Sequence, residues 1–146
     1  MIEKVIEQWH AYLRGELAGG LDELLDDDVV FYSPIVYTPQ AGKEITKLYL
    51  QAAGQTLPGE KSSAGGSAFR YTKQVLAGDT AVLEFETTVA GKYVNGVDII
   101  TFSADDRIVH FKVMVRPLKG MNLLHRLMGE QFAKEGAKLG AKEIAK

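Results

Sequence analysis

The sequence predicts an α+β domain in which helices come first, an antiparallel sheet follows, and more helix ends the chain. Two patterns carry this. In the first third, apolar residues recur at spacings of three and four; from residue 69 onward, four strand-like runs are separated by hairpin-length turn chemistry. The balance of 46% hydrophobic and 25% charged residues among 146 is that of one soluble folded domain, not of a disordered chain.

The first 18 residues read as a helix, with Ile2, Val5, Ile6, Trp9, Leu13 and Leu17 on one face and Gly19-Gly20 as its stop. A short helix over residues 21–25 leads into Asp26-Asp27-Asp28, read as a solvated turn because like charges repel. Residues 29–33 have strand composition, closed by Pro34, and 34–42 is a loop. Helical spacing returns at Lys43 with Ile45, Leu48, Tyr49 and Ala52, and fails near Gly54. Residues 57–67 are Pro-, Gly- and Ser-rich, a flexible connection or lid. Strands are expected over 69–76, 80–89, 93–102 and 108–115, an antiparallel meander with helices on one face. Pro117 ends the last strand and opens a helix with a Met121, Leu124, Leu127 and Met128 stripe. Residues 119–146 are read as a helical tail beyond a domain spanning 1–118, with Ala and Lys each recurring every four residues from Ala133 and Lys134.

Several function classes are excluded. Zero cysteines remove disulfides, thiolate nucleophiles and Cys-ligated metals. His10, His110 and His125 are scattered without carboxylates at ligand spacing, so no metal site is expected. No apolar run is long enough to span a membrane, and no secretory signal is visible, which sets a cytoplasmic expectation. Residues 1–116 carry a net charge of −5 and residues 117–146 a net +3, which offers no clustered basic face for nucleic acid. The stretch 54–62 nearly spells a phosphate loop, but Glu60 separates Gly59 from Lys61 and spoils the convergence on one phosphate.

Trp9–Leu17, the Leu24–Phe31 segment leading into Ser33-Pro34, and Gly42–Ile45 resemble the nuclear transport factor 2-like superfamily. So do Val94–Asp98, Arg107-Ile108-Val109 and Arg116-Pro117-Leu118. The nearest likeness is to its SnoaL-like polyketide cyclase and ketosteroid isomerase branch. This resemblance implies a cystatin-like α+β barrel: a cone-shaped, curved antiparallel sheet wrapped around the N-terminal helices, an apolar pocket at the wide end, and a homodimer formed through the sheet. It also implies cofactor-free chemistry on a small apolar, ring-containing molecule, either cyclisation, isomerisation or hydration. A non-catalytic ligand-binding or protein-interaction module of the same fold is the competing expectation.

Strand alternation selects the pocket lining. Phe85 lies on the apolar face of 80–89, and Phe111, Val113 and Val115 on that of 108–115. With Trp9, Leu13, Phe31 and Ser33 they form the expected ligand-binding set. On 93–102 both faces are largely apolar, so which one lines the pocket stays open. Asp98 is the candidate catalytic residue, since a carboxylate amid apolar strand residues is costly unless paired, hydrogen-bonded or protonated. Its alternative is a structural Asp tied to backbone or to an Arg such as Arg116. In ketosteroid isomerases the matching position holds a protonated Asp of the oxyanion hole. The resemblance fails at two other positions: Trp9 stands where that family has a catalytic Tyr, and Ser33 where it has the base Asp.

Overall fold

A computed structural model describes residues 2–59 and 67–134. Helical periodicity carries α1 (Ile2–Leu13), which buries Val5, Ile6 and Trp9. It ends earlier than the apolar spacing suggests because Gly15, at φ 75°, turns the chain and donates its N–H to the Tyr12 carbonyl at 2.9 Å. The short α2 (Gly20–Leu24) runs directly into β1 (Leu25–Tyr32). Asp26–Asp28 lie inside β1 rather than in a turn. Pairing is irregular between Leu25 and Val30, and a bulge there leaves Asp27 and Asp28 exposed while Leu25 and Val29 are buried. The loop after Pro34 hides a two-residue strand, β2 (Gln40–Ala41), followed by α3 (Lys43–Thr56).

The second half forms β3 (Arg70–Ala77), β4 (Thr80–Val89), β5 (Lys92–Phe102) and β6 (Ile108–Arg116), within a residue of the expected strands. Turn chemistry explains this agreement: Gly78, Ala90 and Gly91 all adopt positive φ between the paired strands. The strand order is β2-β1-β6-β5-β4-β3. β3 to β6 are the expected antiparallel meander, but β1 joins β6 in parallel.

Two parts of the expected architecture are corrected by this topology. The sheet is mixed and open, with β2 and β3 as its two edges; it is not a cone or a closed barrel wrapped around the N-terminal helices. No pairing joins β2 to β3, and pairing between the edges is what closure needs. The C-terminal helix is not an extension beyond the fold either. α4 (Leu118–Lys134) buries Leu123, Leu124, Met128 and Phe132, and Phe132 meets Tyr49 of α3 edge-on at 5.0 Å. Phe132 is fully buried within the main core, where truncation of a Phe costs about 3–5 kcal/mol. Phe132, four residues after Met128, continues the Leu124–Met128 stripe that the sequence shows, one turn beyond the residues named for it.

Burial alternates strictly along β4, placing Ala81, Leu83, Phe85, Thr87 and Val89 against the helices. Register then settles β5: Asp98 opposes Leu83, and Ile100 opposes Ala81, so Val94, Gly96, Asp98, Ile100 and Phe102 share the helix-facing side. Among the described residues no helix is long and apolar enough to cross a membrane. The last three residues of the near-phosphate stretch, 60–62, and most of the Lys/Ala periodicity, from 135 on, lie outside the described residues.

Candidate functional site

Asp98 sits at the middle of β5, opposed by Leu83 on β4 and Val113 on β6, and is 6% exposed. Its partner is a residue the sequence reading passed over. Tyr71 Oη donates to Asp98 Oδ2 at 2.6 Å, the short length of a charge-assisted bond. Trp9 Nε1 reaches in from α1 and donates to Tyr71 Oη at 3.0 Å.

A bulge brings Tyr71 into place. Tyr71 opposes Phe85, but Lys73 opposes Glu84, so one extra residue is inserted between them. Tyr71 and Leu76 thereby face the same side although they are an odd number of residues apart, while Lys73 turns outward. Strict alternation separates Tyr71 from Leu76; the available signal was the Phe69/Tyr71 aromatic pair at period two. Phe69 stacks on Phe85 at 5.0 Å and meets Tyr71 edge-on at 5.1 Å. Gly96 admits this arrangement, since a Cβ there would lie 2.4 Å from Phe85 Cζ and 2.8 Å from the Met114 carbonyl.

The electrostatics follow from burial. Burial pushes the Asp98 carboxyl up to about 7, opposed only in part by the Tyr71 hydrogen bond. Burial, and after it the Asp98 charge, holds the Tyr71 phenol well above its ordinary value, so it stays a donor at neutral pH. Among the described residues no Lys or Arg pairs with Asp98; Arg116 instead donates to Asn95 Oδ1 at 3.4 Å. A carboxyl poised near neutrality and free of a cation can hold or release a proton at the pH where most chemistry runs.

The other expected site residues separate into groups. Trp9 and Phe111 meet edge-on at 5.0 Å, and Val113 lies beside Asp98, so these three and Phe85 gather near the carboxyl. Val115 packs with Phe85 in the second apolar cluster. Phe31 lies deeper, stacked on Tyr49 at 4.9 Å. Leu13, at the end of α1, is 44% exposed. Ser33 Oγ accepts the backbone N–H groups of Ile35 at 3.0 Å and Val36 at 3.3 Å, which makes it the pin of a turn. Tyr12 stacks on Trp9 at 5.5 Å, while Tyr32 contacts His110 and the Lys112 ammonium on the outer side of the sheet. Among the described residues no three His, Asp or Glu side chains cluster as a metal site.

Among the described residues, two cavities open away from Asp98. One, of about 340 Å³, lies on the outer face of the sheet over Val82, Val97 and Met114. The other, of about 330 Å³, lies between the end of α3, the β4–β5 turn and α4. Neither contains Asp98.

No protein-family model matches the chain, and no curated protein is significantly similar to it. Solved structures are similar. A steroid delta-isomerase from Pseudomonas aeruginosa is 33% identical, with 93% of this chain and 94% of that one covered and a TM-score of 0.80. An uncharacterized bacterial protein with a cystatin-like fold from Silicibacter pomeroyi is 26% identical over 96% and 93% of the two chains, with a TM-score of 0.78. An NTF2-like protein of unknown function from Mesorhizobium loti is 23% identical over 80% and 93%, with a TM-score of 0.60, a likeness of fold alone.

The raised Asp98 pKa links stability to pH. The folded value lies above that of an unfolded Asp, so folding favours the protonated form. That contribution is complete below about pH 4, is lost as pH rises toward about 7, and changes little beyond. Asp98→Asn, neutral throughout, escapes the loss. Urea midpoints are therefore expected to diverge between about pH 4 and pH 7, with the variant gaining up to roughly 4 kcal/mol at the upper end. Parallel curves for the two proteins across that window would show Asp98 ionised and paired in the fold.

Proposed function

The chain belongs to the nuclear transport factor 2-like superfamily, in the branch of the SnoaL-like cyclases and ketosteroid isomerases. On that premise we propose that it binds a small, apolar, ring-containing molecule on the helix-facing side of the sheet, with Asp98 as general acid and base. The supporting observation is a buried carboxyl, raised toward neutrality, whose one hydrogen-bond donor among the described residues is the Tyr71 phenol. The reaction class is cofactor-free proton transfer: a cyclisation, isomerisation or hydration in which Asp98 gives a proton to an oxygen or carbon of the ligand and takes one back. The Pseudomonas steroid delta-isomerase suggests fused-ring ligands. The full ketosteroid isomerase mechanism is not part of this reading. Trp9 directs its N–H to Tyr71 and Ser33 holds a turn, so neither supplies the missing phenol or base. A cytoplasmic address belongs to the same reading.

A second reading has an observation of its own. Asp98 is only 6% exposed, and the two cavities described above lie away from it, an arrangement that suits a binding or interaction module without turnover. A thermal-shift screen of steroid, aromatic polyketide and terpenoid ligands on wild type and Asp98→Asn discriminates. A ligand at 100 times its Kd adds about 2.7 kcal/mol of stability. The expected result is a class that stabilises wild type, loses most of that gain in Asp98→Asn, and is converted by wild type alone. Equal stabilisation of both proteins without conversion supports the module instead.

The outer face of the sheet is our proposed homodimer surface. Val75 and Met114 are 50% and 49% exposed there, beside the half-buried Val97 and Ile99. Sedimentation at micromolar concentration is expected to return about twice the 16.0 kDa chain mass, and Met114→Glu to halve it. A wild-type monomer at that concentration removes the dimer.

A further inference from the structure

The chain of donors behind Asp98 runs in one direction, and that has a chemical consequence for the carboxyl. An indole N–H can only donate, so the 3.0 Å contact makes Tyr71 Oη an acceptor toward Trp9. The phenol proton is then directed to Asp98 Oδ2, 2.6 Å away and its one acceptor among the described residues. Around the phenol ring stand Phe69, Phe85 and the edge of His10, whose Nε2 is engaged with Gln74 Oε1 at 3.1 Å. A proton on Asp98 Oδ2 would turn that oxygen into a hydroxyl, a poorer acceptor for the Tyr71 O–H than the carbonyl-type oxygen it remains when the proton sits on Oδ1. Oδ1, by contrast, has no hydrogen bond to any described residue.

We propose that Trp9 and Tyr71 are positioning residues that commit Asp98 Oδ2 to accepting the phenol proton and reserve Oδ1 as the atom that carries and transfers the reacting proton. This deepens the acid/base reading of Asp98 and rests on it. In the forward step the Oδ1–H bond breaks and its proton passes to the ligand atom. The electron pair stays on the carboxylate, and the charge is held at Oδ2 by the Tyr71 O–H. In the return step Oδ1 takes a proton from the ligand. The assignment also gives Trp9, placed on the pocket wall by its position in the sequence, a role acted out through Tyr71 rather than on the ligand.

The chain holds one tryptophan, so its indole N–H signal is unambiguous in a ¹H–¹⁵N spectrum. The test follows that signal together with the Asp98 ¹³Cγ signal from about pH 4 to pH 9 in wild type, Asp98→Asn, Tyr71→Phe and Trp9→Phe, with no ligand present. Titratable groups around Asp98 are few: His10 and Tyr12 on α1 and Tyr71 on β3. The helix-facing neighbours on β4 and β6 are apolar, and Lys73, Glu84 and Lys112 lie on the outer side. Any indole movement that persists in Asp98→Asn does not come from Asp98 and is subtracted.

In wild type, the remaining indole shift is expected to share the Asp98 midpoint. Tyr71→Phe should uncouple the indole and raise the Asp98 midpoint by roughly half to one pH unit, since a bond that favours the carboxylate is gone. Trp9→Phe should raise it less. An indole that ignores Asp98 in wild type overturns the proposal, as does a midpoint unmoved by Tyr71→Phe. If Tyr71→Phe fails to fold, the comparison of wild type with Asp98→Asn and Trp9→Phe decides the same question. A coupled chain with an Asp98 midpoint below about pH 5 sinks the acid/base reading alone. A midpoint near pH 7 with an uncoupled indole sinks only the positioning chain.

Discussion

One hydrogen bond, from the Tyr71 phenol to Asp98, reconciles a carboxyl with the apolar side of a sheet. Desolvating a carboxylate costs more than a single neutral donor returns, so the group relaxes by holding its proton to near neutrality. With a guanidinium or ammonium in place of the phenol, Asp98 would be locked as a charge and serve structure alone. A phenol stabilises the carboxylate enough to make ionisation reachable, and not so much as to make it permanent.

The surrounding architecture holds that bond in place. β5 is central in the sheet, so Asp98 has paired strands on both sides and backbone that cannot fray open to water. The β3 bulge turns Tyr71 inward at an edge of the sheet, where a bulge interrupts only one ladder. α1 brings Trp9 over Phe111 and onto the phenol oxygen, and Gly96 lets Phe85 lie over the strand beside the site. On the far side of the core, Phe132 of α4 packs against Tyr49, itself stacked on Phe31. The site and the C-terminal helix thus share one continuous aromatic core.

The legible and illegible parts of this arrangement divide along local and non-local lines. Hairpins were readable because Gly78 and the Ala90-Gly91 pair state their turn chemistry within a few residues. Asp98 was readable because one acid in an apolar strand is conspicuous. Its face was not, since both sides of 93–102 are apolar and only pairing with Leu83 and Val113 decides. Tyr71 was concealed by a bulge, which breaks the period-two rule that strand reading relies on. The parallel pairing of β1 with β6 joins residues far apart in sequence, and no local pattern encodes it. Ser33 was legible only through its place in a family pattern, and the two backbone N–H groups its hydroxyl accepts next door appear only in the fold.

On the acid/base reading, Asp98 is a carboxylic acid on the acidic side of neutrality and a carboxylate on the other. Infrared difference spectroscopy between about pH 5 and pH 9 reads this directly, because protonated carboxyls absorb apart from carboxylates and from the backbone amides. Wild type is expected to show a protonated-carboxyl band at the lower pH that disappears at the higher, and that is missing at both in Asp98→Asn. Identical difference spectra for the two proteins would mean that Asp98 is ionised throughout and serves only to hold Tyr71.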